Sequence, residues 1–177
     1  MKNVLEAHMG DSFERLSPLL RKAHKGKKLL HGHAEVKRGN LLAEIICTLF
    51  RFPIPAKQAS LRVECSHTEN SMQWDRSFDD LKMSSHFTRQ GHYLVEHLGL
   101  LDLEFIANER NGKLHYDFIK TRFLKIPLPN FLSPQVIAYE QEIEGKYCFR
   151  VEVNMFLVGM VITYYGTLDV EEISVER

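Results

Sequence analysis

The clearest candidate for binding chemistry in this chain is an arginine on a strand face that otherwise carries apolar side chains. Residues 72–78 alternate between apolar and polar types, which is the two-residue period of a strand. One face of this predicted strand carries Met72, Trp74, Arg76 and Phe78. A guanidinium on an inward face is costly unless it is paired or hydrated. Arg76 is therefore either half of a structural ion pair or the polar floor of a pocket, and the sequence leaves both interpretations open.

A carboxylate in similar surroundings could lie near this arginine. Glu96 shares its predicted strand face with Leu94 and Leu98, so it too points toward the apolar side. Tyr164 or Tyr165, in an apolar strand near the end of the chain, could add a hydroxyl. A guanidinium binds a carboxylate through its planar fork of N–H donors, which suits an anionic head group. The predicted ligand-binding residues are Trp74, Arg76, Phe78, Glu96 and Tyr165.

The same residues could instead belong to an enzyme. Arg76, Glu96 and Tyr165 could work with a nearby histidine, His86 or His97, as acid, base or anion clamp. No Ser-His-Asp or Cys-His spacing is diagnostic, because such triads assemble in space and leave no linear pattern. A non-catalytic role is therefore favoured, and no catalytic residue is assigned.

Metal and disulfide sites are not predicted. His31 and His33 could hold a metal from one strand face, but no third and fourth ligand is evident, so hydrogen-bonded histidines are the simpler interpretation. The three cysteines, Cys47, Cys65 and Cys148, are far apart and form no C-x-x-C pair. They are expected to be small apolar side chains in a reducing compartment.

The first third of the chain is predicted to be largely helical. A helical segment over residues 11–25 would begin with a capping box between Asp11 and Glu14. A strand should follow, and Asn40 can cap the next helix. This helix, predicted over residues 40–52, is apolar almost all round, which is typical of a buried helix around which a sheet wraps.

Residues 56–170 are predicted to form an antiparallel sheet. Asn111-Gly112 and Glu144-Gly145 each lie between alternating runs, the pattern of a hairpin turn. A change of face at residues 119–123 indicates a bulge, and residues 156–168 are apolar on both faces, as in a strand covered on both sides. The predicted fold class is α+β and mainly β: a long curved antiparallel sheet, or half-open barrel, of about eight strands wrapped on one apolar helix, with a short N-terminal helix.

Composition restricts the class of protein. The chain has 177 residues, enough for one domain over residues 1–177, and its 23 basic side chains balance 23 acidic ones. Zero net charge argues against nucleic-acid binding through phosphate neutralisation. The longest apolar run is too short to span a bilayer, and residues 1–10 lack the apolar stretch of a signal peptide, so a soluble cytoplasmic protein is expected. The uncovered edges of a half-open sheet would favour a homodimer.

Seven short fragments, taken in order, resemble an uncharacterised bacterial domain family found alone or fused to saccharopine-dehydrogenase-like and other NAD(P)-binding reductase domains. The fragments cover nearly the whole chain and are Phe13-x-x-Leu16 with Pro18, Gly32 through Gly39, Arg51-Phe52-Pro53, Trp74-x-Arg76-x-Phe78, Gly91 and Glu96 with Gly99, Pro127-Leu128-Pro129, and Tyr165-x-x-Leu168. The resemblance implies no activity, only that the domain can work beside a redox enzyme.

No cofactor is predicted, because no Gly-x-Gly-x-x-Gly motif follows a predicted strand. Three possible functions follow from these observations. The first is a non-catalytic binding module for a small apolar or amphipathic anionic ligand. The second is a structural or partner-docking domain associated with a reductase, in which Arg76 and Glu96 form a buried pair that sets strand register. The third is an enzyme of unknown reaction.

Overall fold

The structure, a computed structural model, describes residues 2–173 of the chain. Short helices come first, one more helix follows the first strand, and the remaining elements are strands. The elements in order are α1 (Val4–Met9), a 3-10 helix (Gly10–Arg15), α2 (Pro18–Ala23), β1 (Lys27–Arg38), α3 (Leu41–Leu49), β2 (Ala56–His67), β3 (Met72–Phe78), β4 (Leu81–Gln90), β5 (Tyr93–Leu98), β6 (Leu101–Arg110), β7 (Lys113–Phe123), β8 (Ile126–Pro127), β9 (Gln135–Ile143), β10 (Lys146–Met155) and β11 (Gly159–Glu172).

Within residues 2–173, ten of the eleven strands close into an antiparallel barrel. The strands β1 to β7 pair in sequence order, β7 pairs with β9, and β9 to β11 continue the sheet. The ring closes because β11 pairs with β1, in a register that runs from Lys28 opposite Glu172 to Arg38 opposite Ile162. The two-residue β8 adds to β7 outside the ring. The mainly-β prediction is therefore confirmed, whereas the half-open sheet of about eight strands is wrong.

The N-terminal helices cover one end of the barrel. We call α1, the 3-10 helix and α2 the N-terminal plug. The plug begins with a capping box, in which Asn3 accepts hydrogen bonds from the first turn and Glu6 bonds back to the Asn3 amide. Its apolar side chains Leu5, Phe13 and Leu20 are almost fully buried. Helical structure therefore starts earlier than the predicted segment 11–25, at an Asn-x-x-Glu box rather than at Asp11.

Helix α3 is not the buried centre of the sheet, which corrects the prediction for residues 40–52. Asn40 caps it as expected, accepting from the Ala43 amide at 3.1 Å. Leu41 and Leu49, however, are 79% and 75% exposed. Ala43 and Cys47 are the buried positions of the helix, and the Cys47 thiol lies 3.6 Å from the Val161 carbonyl oxygen. The helix therefore lies on the outside of β11, and the barrel interior is lined by strands.

Several local predictions for the sheet are confirmed. Asn111 and Gly112 both have positive φ angles, 54° and 77°, as a tight hairpin turn between β6 and β7 requires. The bulge is present, because the register skips Ile119 between Lys120 and Phe118 on β7. Helix α3 covers the outer face of β11 at Val161, but Phe156 and Leu157 lie in the turn before the strand and are 82% and 66% exposed, so the covering predicted for residues 156–168 holds only in part.

Glycine allows β1 and β11 to approach closely. A Cβ on Gly166 would lie 2.2 Å from the carbonyl oxygen of His33, and one on Gly32 would lie 2.3 Å from that of Thr167. Real Cβ atoms do not approach oxygen atoms this closely, so a side chain at either position would force the strands apart. These two glycines therefore lie at the pairing that closes the barrel.

No helix in the described part of the chain is both long enough and apolar enough to cross a membrane.

The open sheet edges that favoured a homodimer are absent from the ring, because each of its strands has two neighbours in residues 2–173. The argument for a dimer from uncovered edges therefore no longer applies.

Candidate functional site

The barrel interior contains a cavity of about 110 Å³ that is partly open to solvent. We call it the interior cavity. Its wall is mostly aromatic and aliphatic, with a few polar groups that project inward. The apolar lining includes Leu61, Val63, Trp74, Phe78, Met83, Phe87, Leu103, Phe105, Phe149, Val151 and Leu168, and the polar or ionisable lining includes Arg76, Glu96, Tyr116, Glu140, Tyr147 and Tyr164. An apolar cavity with few convergent polar groups is the usual form of a small-molecule site.

Four of the five predicted site residues line this cavity. Arg76 comes from β3 between Trp74 and Phe78, and Glu96 comes from β5. The alternation of both strands turns these side chains inward, as the sequence indicated. The prediction that aromatic rings surround a guanidinium near a carboxylate agrees with this arrangement.

The first polar group of the cavity consists of Arg76, Ser85 and Glu96, and we call it the Arg76 group. Arg76 Nη1 donates to Ser85 Oγ at 2.8 Å, and Nη2 lies 3.6 Å from Glu96 Oε1. The Arg76 side chain is 13% exposed and that of Glu96 is 14% exposed. The guanidinium also lies over the Trp74 ring, 5.2 Å from its centroid, at a distance that allows a cation–π contact.

The charges around Arg76 determine its ionisation. Burial has the largest single effect and would lower the pKa of Arg76, but the Glu96 carboxylate, together with Tyr164, Cys65 and Tyr147, outweighs burial, so the pKa lies above its ordinary value. Burial raises the pKa of Tyr164 to about 12, with the positive charge of Arg76 opposing the shift and Glu96 adding to it. Arg76 is therefore a permanent cation, and Tyr164 remains a neutral hydroxyl at physiological pH.

Tyr165 does not join the other predicted residues, and this is a correction. Its hydroxyl donates to Glu35 Oε2 at 2.5 Å, and Lys37 and Arg150 lie over its ring, on the outer surface of the barrel. Neighbouring residues on a strand face opposite sides, so Tyr164 points inward in its place. The sequence did not distinguish the two tyrosines because residues 158–165 are apolar at positions on both faces of the strand.

A second polar group, absent from the sequence prediction, lies between the interior cavity and the plug. Glu140 of β9 is buried and accepts hydrogen bonds with both carboxylate oxygens. Tyr116 donates to Oε1 at 3.1 Å, and Nε2 of the fully buried His24 lies 2.6 Å from Oε2. We call Glu140, Tyr116 and His24 the Glu140 group. Its histidine follows α2, so the plug contributes a side chain to the barrel interior.

The hydrogen bonds of His67 determine that Nδ1 of His24 carries a hydrogen. His67 Nδ1 faces the Gly26 carbonyl oxygen at 3.2 Å and must donate, so its Nε2 is an acceptor in the neutral ring. Burial, and then the charge of His24, lower the pKa of His67 to about 3, which keeps it neutral. His24 Nδ1, 3.3 Å from that acceptor, therefore carries a proton. The other ring nitrogen of His24, Nε2, forms the short 2.6 Å hydrogen bond to Glu140 Oε2.

Two buried donors in the cavity wall have no hydrogen-bond partner among residues 2–173. They are the indole Nε1 of Trp74 and the hydroxyl of Tyr147. Burial raises the pKa of Tyr147 well above its ordinary value, and the charge of Glu140, which its hydroxyl faces, raises it further. Tyr147 is therefore a protonated hydroxyl at every physiological pH.

The histidines of the enzyme hypothesis lie on the outside of the barrel. His97 Nε2 is 2.9 Å from Thr88 Oγ1, and His97 Nδ1 is 2.7 Å from Asp102 Oδ1, while His86 stacks on His97. Lys125 also binds Asp102. This arrangement places neither histidine near the Arg76 group, so it does not bring together the acid–base set that the sequence suggested.

The metal alternative gains no support from the side-chain positions. His31 points outward and pairs with Glu171 at 3.0 Å. In the part of the chain that the structure describes, no three His, Cys, Asp or Glu side chains are grouped as a metal site would require.

Sequence reasoning missed the Glu140 group because its members are far apart in the chain. His24 and Glu140 are separated by 116 residues. One signal was present for Glu140, since it alternates with Val136 and Ala138 and so shares their inward face. His24, which follows the last turn of α2, had no comparable signal.

Comparison with known proteins gave one match. The family model described as Domain of unknown function (DUF4166) matches residues 16–168, which is most of the chain. No curated protein and no solved structure matches the chain.

Proposed function

The chain belongs to the family described as Domain of unknown function (DUF4166), and we propose that its barrel is a non-catalytic binding module for a small, mostly apolar carboxylic acid. In this proposal the acid lies in the interior cavity and its carboxylate binds Arg76. The observation that carries the proposal is a mostly apolar cavity whose wall contains an incompletely hydrogen-bonded guanidinium.

The hydrogen bonds of Arg76 leave room for a ligand. A guanidinium has five N–H groups. Within residues 2–173, Arg76 donates one hydrogen bond, to Ser85, and the 3.6 Å separation from Glu96 is too long for a second. A ligand carboxylate could therefore use the fork of donors that the protein leaves free, in the bidentate geometry that arginine favours.

Glu96 opposes the proposed binding electrostatically. An incoming carboxylate would meet the negative charge of Glu96 in surroundings of low polarity, where like charges repel strongly. The acid must therefore gain more from the donors of Arg76 than it loses to this repulsion.

The size of the interior cavity restricts the ligand. At about 110 Å³ it is smaller than the roughly 300–1,000 Å³ of typical drug-sized pockets. It is closer to the apolar cavity of about 150 Å³ that binds a benzene ring in an engineered protein. A molecule with one ring, or a branched chain of similar volume, therefore fits better than a long-chain fatty acid.

A comparison of acids with their amides tests the proposal. Cyclohexanecarboxylate and benzoate would each be titrated beside the matching primary amide, and binding followed by melting temperature and by emission of Trp74, the single tryptophan. We expect the acids to bind and the amides to bind at least tenfold more weakly. Arg76→Gln should remove the difference, whereas Arg62→Gln, on an exposed arginine, should not. Equal binding of acids and amides, or no binding of either, would refute the proposal.

A structural role is the second candidate, and the Arg76–Glu96 pair favours it. This pair joins β3 to β5 across β4, to which Arg76 also bonds through Ser85. Contacts of this kind would hold the register of three strands without any ligand. Docking to a reductase domain, which the sequence resemblance implies, would belong to this second candidate.

A further inference from the structure

The carboxylate of Glu96 is a polar group of the cavity wall that the proposed carboxylate site leaves unused. Arg76 Nη2 lies 3.6 Å from Glu96 Oε1, which is too long for a hydrogen bond. No donor among residues 2–173 binds either oxygen of Glu96, whereas Glu140, the other carboxylate of the wall, is bonded to Tyr116 and to His24. Glu96 therefore keeps its capacity to accept hydrogen bonds from a ligand.

A ligand in the interior cavity can reach both charged groups. The Arg76 side chain is 13% exposed and that of Glu96 is 14% exposed, and both line the cavity. In residues 2–173, the side-chain atoms that are both sealed from solvent and without a partner belong to other residues, such as Trp74 and Tyr147. The free N–H donors of Arg76 and the oxygens of Glu96 are therefore open to a bound molecule.

Arg76 and Glu96 are opposite charges held side by side in mostly apolar surroundings. A ligand with a single negative charge is attracted by Arg76 but repelled by Glu96, and a ligand with a single positive charge meets the reverse. A ligand with one charge of each sign avoids both repulsions and brings no net charge into the barrel, where an uncompensated charge is costly. The wall therefore favours a zwitterion over an anion.

We propose that the bound molecule is a small apolar α-amino acid, whose carboxylate binds Arg76 and whose ammonium group binds Glu96. The inference rests on the proposed function and narrows it from carboxylic acids in general to amino acids. The two charged groups of an α-amino acid are attached to one carbon atom, so they are adjacent, as are Arg76 Nη2 and Glu96 Oε1 at 3.6 Å. Both contacts would be charge-assisted hydrogen bonds, which are the stronger kind.

The remaining wall of the interior cavity restricts the side chain of the amino acid. Trp74 and Phe78 flank Arg76 on β3, and Leu103 and Phe105 of β6 line the same cavity. A polar side chain would lose its hydration against these groups without gaining hydrogen bonds in return. The volume of about 110 Å³ further limits the side chain to a short branched chain or a single ring.

Three ligands that share one ring test the inference. At neutral pH 1-aminocyclohexanecarboxylate is a zwitterion, cyclohexanecarboxylate has only the acid group, and cyclohexylamine has only the ammonium group. Calorimetric titration of the wild-type protein should show that the zwitterion binds at least about tenfold more tightly than either of the others, because each of those meets a like charge in the wall. Binding of cyclohexanecarboxylate or cyclohexylamine at least as tight as that of the zwitterion would refute the inference.

Substitution of Glu96 gives a second readout, which a purely structural role would not produce. Glu96→Gln removes the negative charge and keeps the length of the side chain. The zwitterion should then bind at least about tenfold more weakly, whereas cyclohexanecarboxylate should bind more tightly because its repulsion is gone. Glu64→Gln, on an exposed glutamate, should change neither affinity. Equal losses for both ligands in Glu96→Gln would contradict the proposed contact, and the wild-type comparison decides alone should this variant fail to fold.

Failure of this inference can be distinguished from failure of the proposed function. If cyclohexanecarboxylate binds wild type at least as tightly as the amino acid, the inference is refuted and the proposed function stands. If neither ligand that has a carboxylate binds, the proposed function and the inference both fail. Binding of the amino acid alone would support the inference and would refute the proposed function for acids that lack an ammonium group.

Discussion

A double-mutant cycle on Arg76 and Glu96 separates the binding and structural roles of the Arg76 group. The substitutions are Arg76→Met and Glu96→Leu, which remove each charge but keep an apolar side chain of similar length. Both side chains are about one-seventh exposed, so either single change leaves a mostly buried charge without its partner. We expect each to destabilise the protein by about 3 kcal/mol, the lower end for a buried pair, because the adjacent cavity gives the remaining group some room.

The double variant should be more stable than either single variant. It leaves no buried charge, and its two apolar side chains can pack into the wall, so we expect a loss of about 1 kcal/mol. The coupling between the two sites, which is the sum of the two single losses less the loss of the double variant, should then be about 5 kcal/mol. In a domain of this size each single variant should melt about 6–12 °C below wild type, and the double variant about 2–4 °C below.

Denaturant unfolding, followed by circular dichroism and by Trp74 emission, measures the four stabilities of the cycle. The matched control is the exposed pair Arg62 and Glu64, whose coupling should stay below about 1 kcal/mol. If the losses of the two single variants at Arg76 and Glu96 simply add in the double variant, the two groups are not energetically paired and the argument is refuted. A stable double variant also serves as a receptor without its guanidinium, and acid binding to it at wild-type affinity would exclude Arg76 as the anchor.

Three further predictions follow from other parts of the fold. The pKa of His67 is lowered to about 3, so below pH 6.5 the unfolded chain binds a proton at this histidine that the folded chain does not bind. The free energy of unfolding should therefore fall by up to about 1.4 kcal/mol per pH unit between pH 6.5 and 4. A pH series of denaturation curves should show this slope for wild type and a flatter slope for His67→Gln. Leu49→Glu, on the exposed face of α3, should change the free energy of unfolding by less than about 0.5 kcal/mol, whereas Ala43→Glu, on the buried face, should lower it by more than about 3 kcal/mol. Equal effects of the two substitutions would contradict the position of the helix. Gly166→Ala should lower the melting temperature by at least about 6 °C, because its Cβ would lie 2.2 Å from the His33 carbonyl oxygen, and an unchanged melting curve would mean that the barrel closes differently.

Local features of the barrel were predictable because each depends on residues that are close in the chain. Asn111-Gly112 specifies a tight turn through its positive φ angles, and Asn40 caps α3 through a contact three residues away. The inward position of Arg76 follows from alternation on a single strand. In each case the sequence contains both partners of the interaction within a few residues.

The errors occurred where a prediction required knowledge of a distant neighbour. The apolar character of α3 was evident, but its burial depends on what packs against it, and most of its apolar side chains are exposed. Tyr164 and Tyr165 both lie in an apolar run, so alternation did not show which of them faces inward, and the hydrogen bond of Tyr165 to Glu35 on a distant strand is not visible in the sequence.

Sequence alone determined that this chain forms an antiparallel, mainly-β domain with Trp74, Arg76, Phe78 and Glu96 on inward faces, because side-chain direction on a strand is set by a period of two residues. Only the tertiary structure decided that the sheet closes and that His24 meets Glu140 inside it. Both outcomes depend on contacts between segments more than 100 residues apart. Such contacts form through the mutual fit of whole strands and helices, and no local pattern of residue types encodes them.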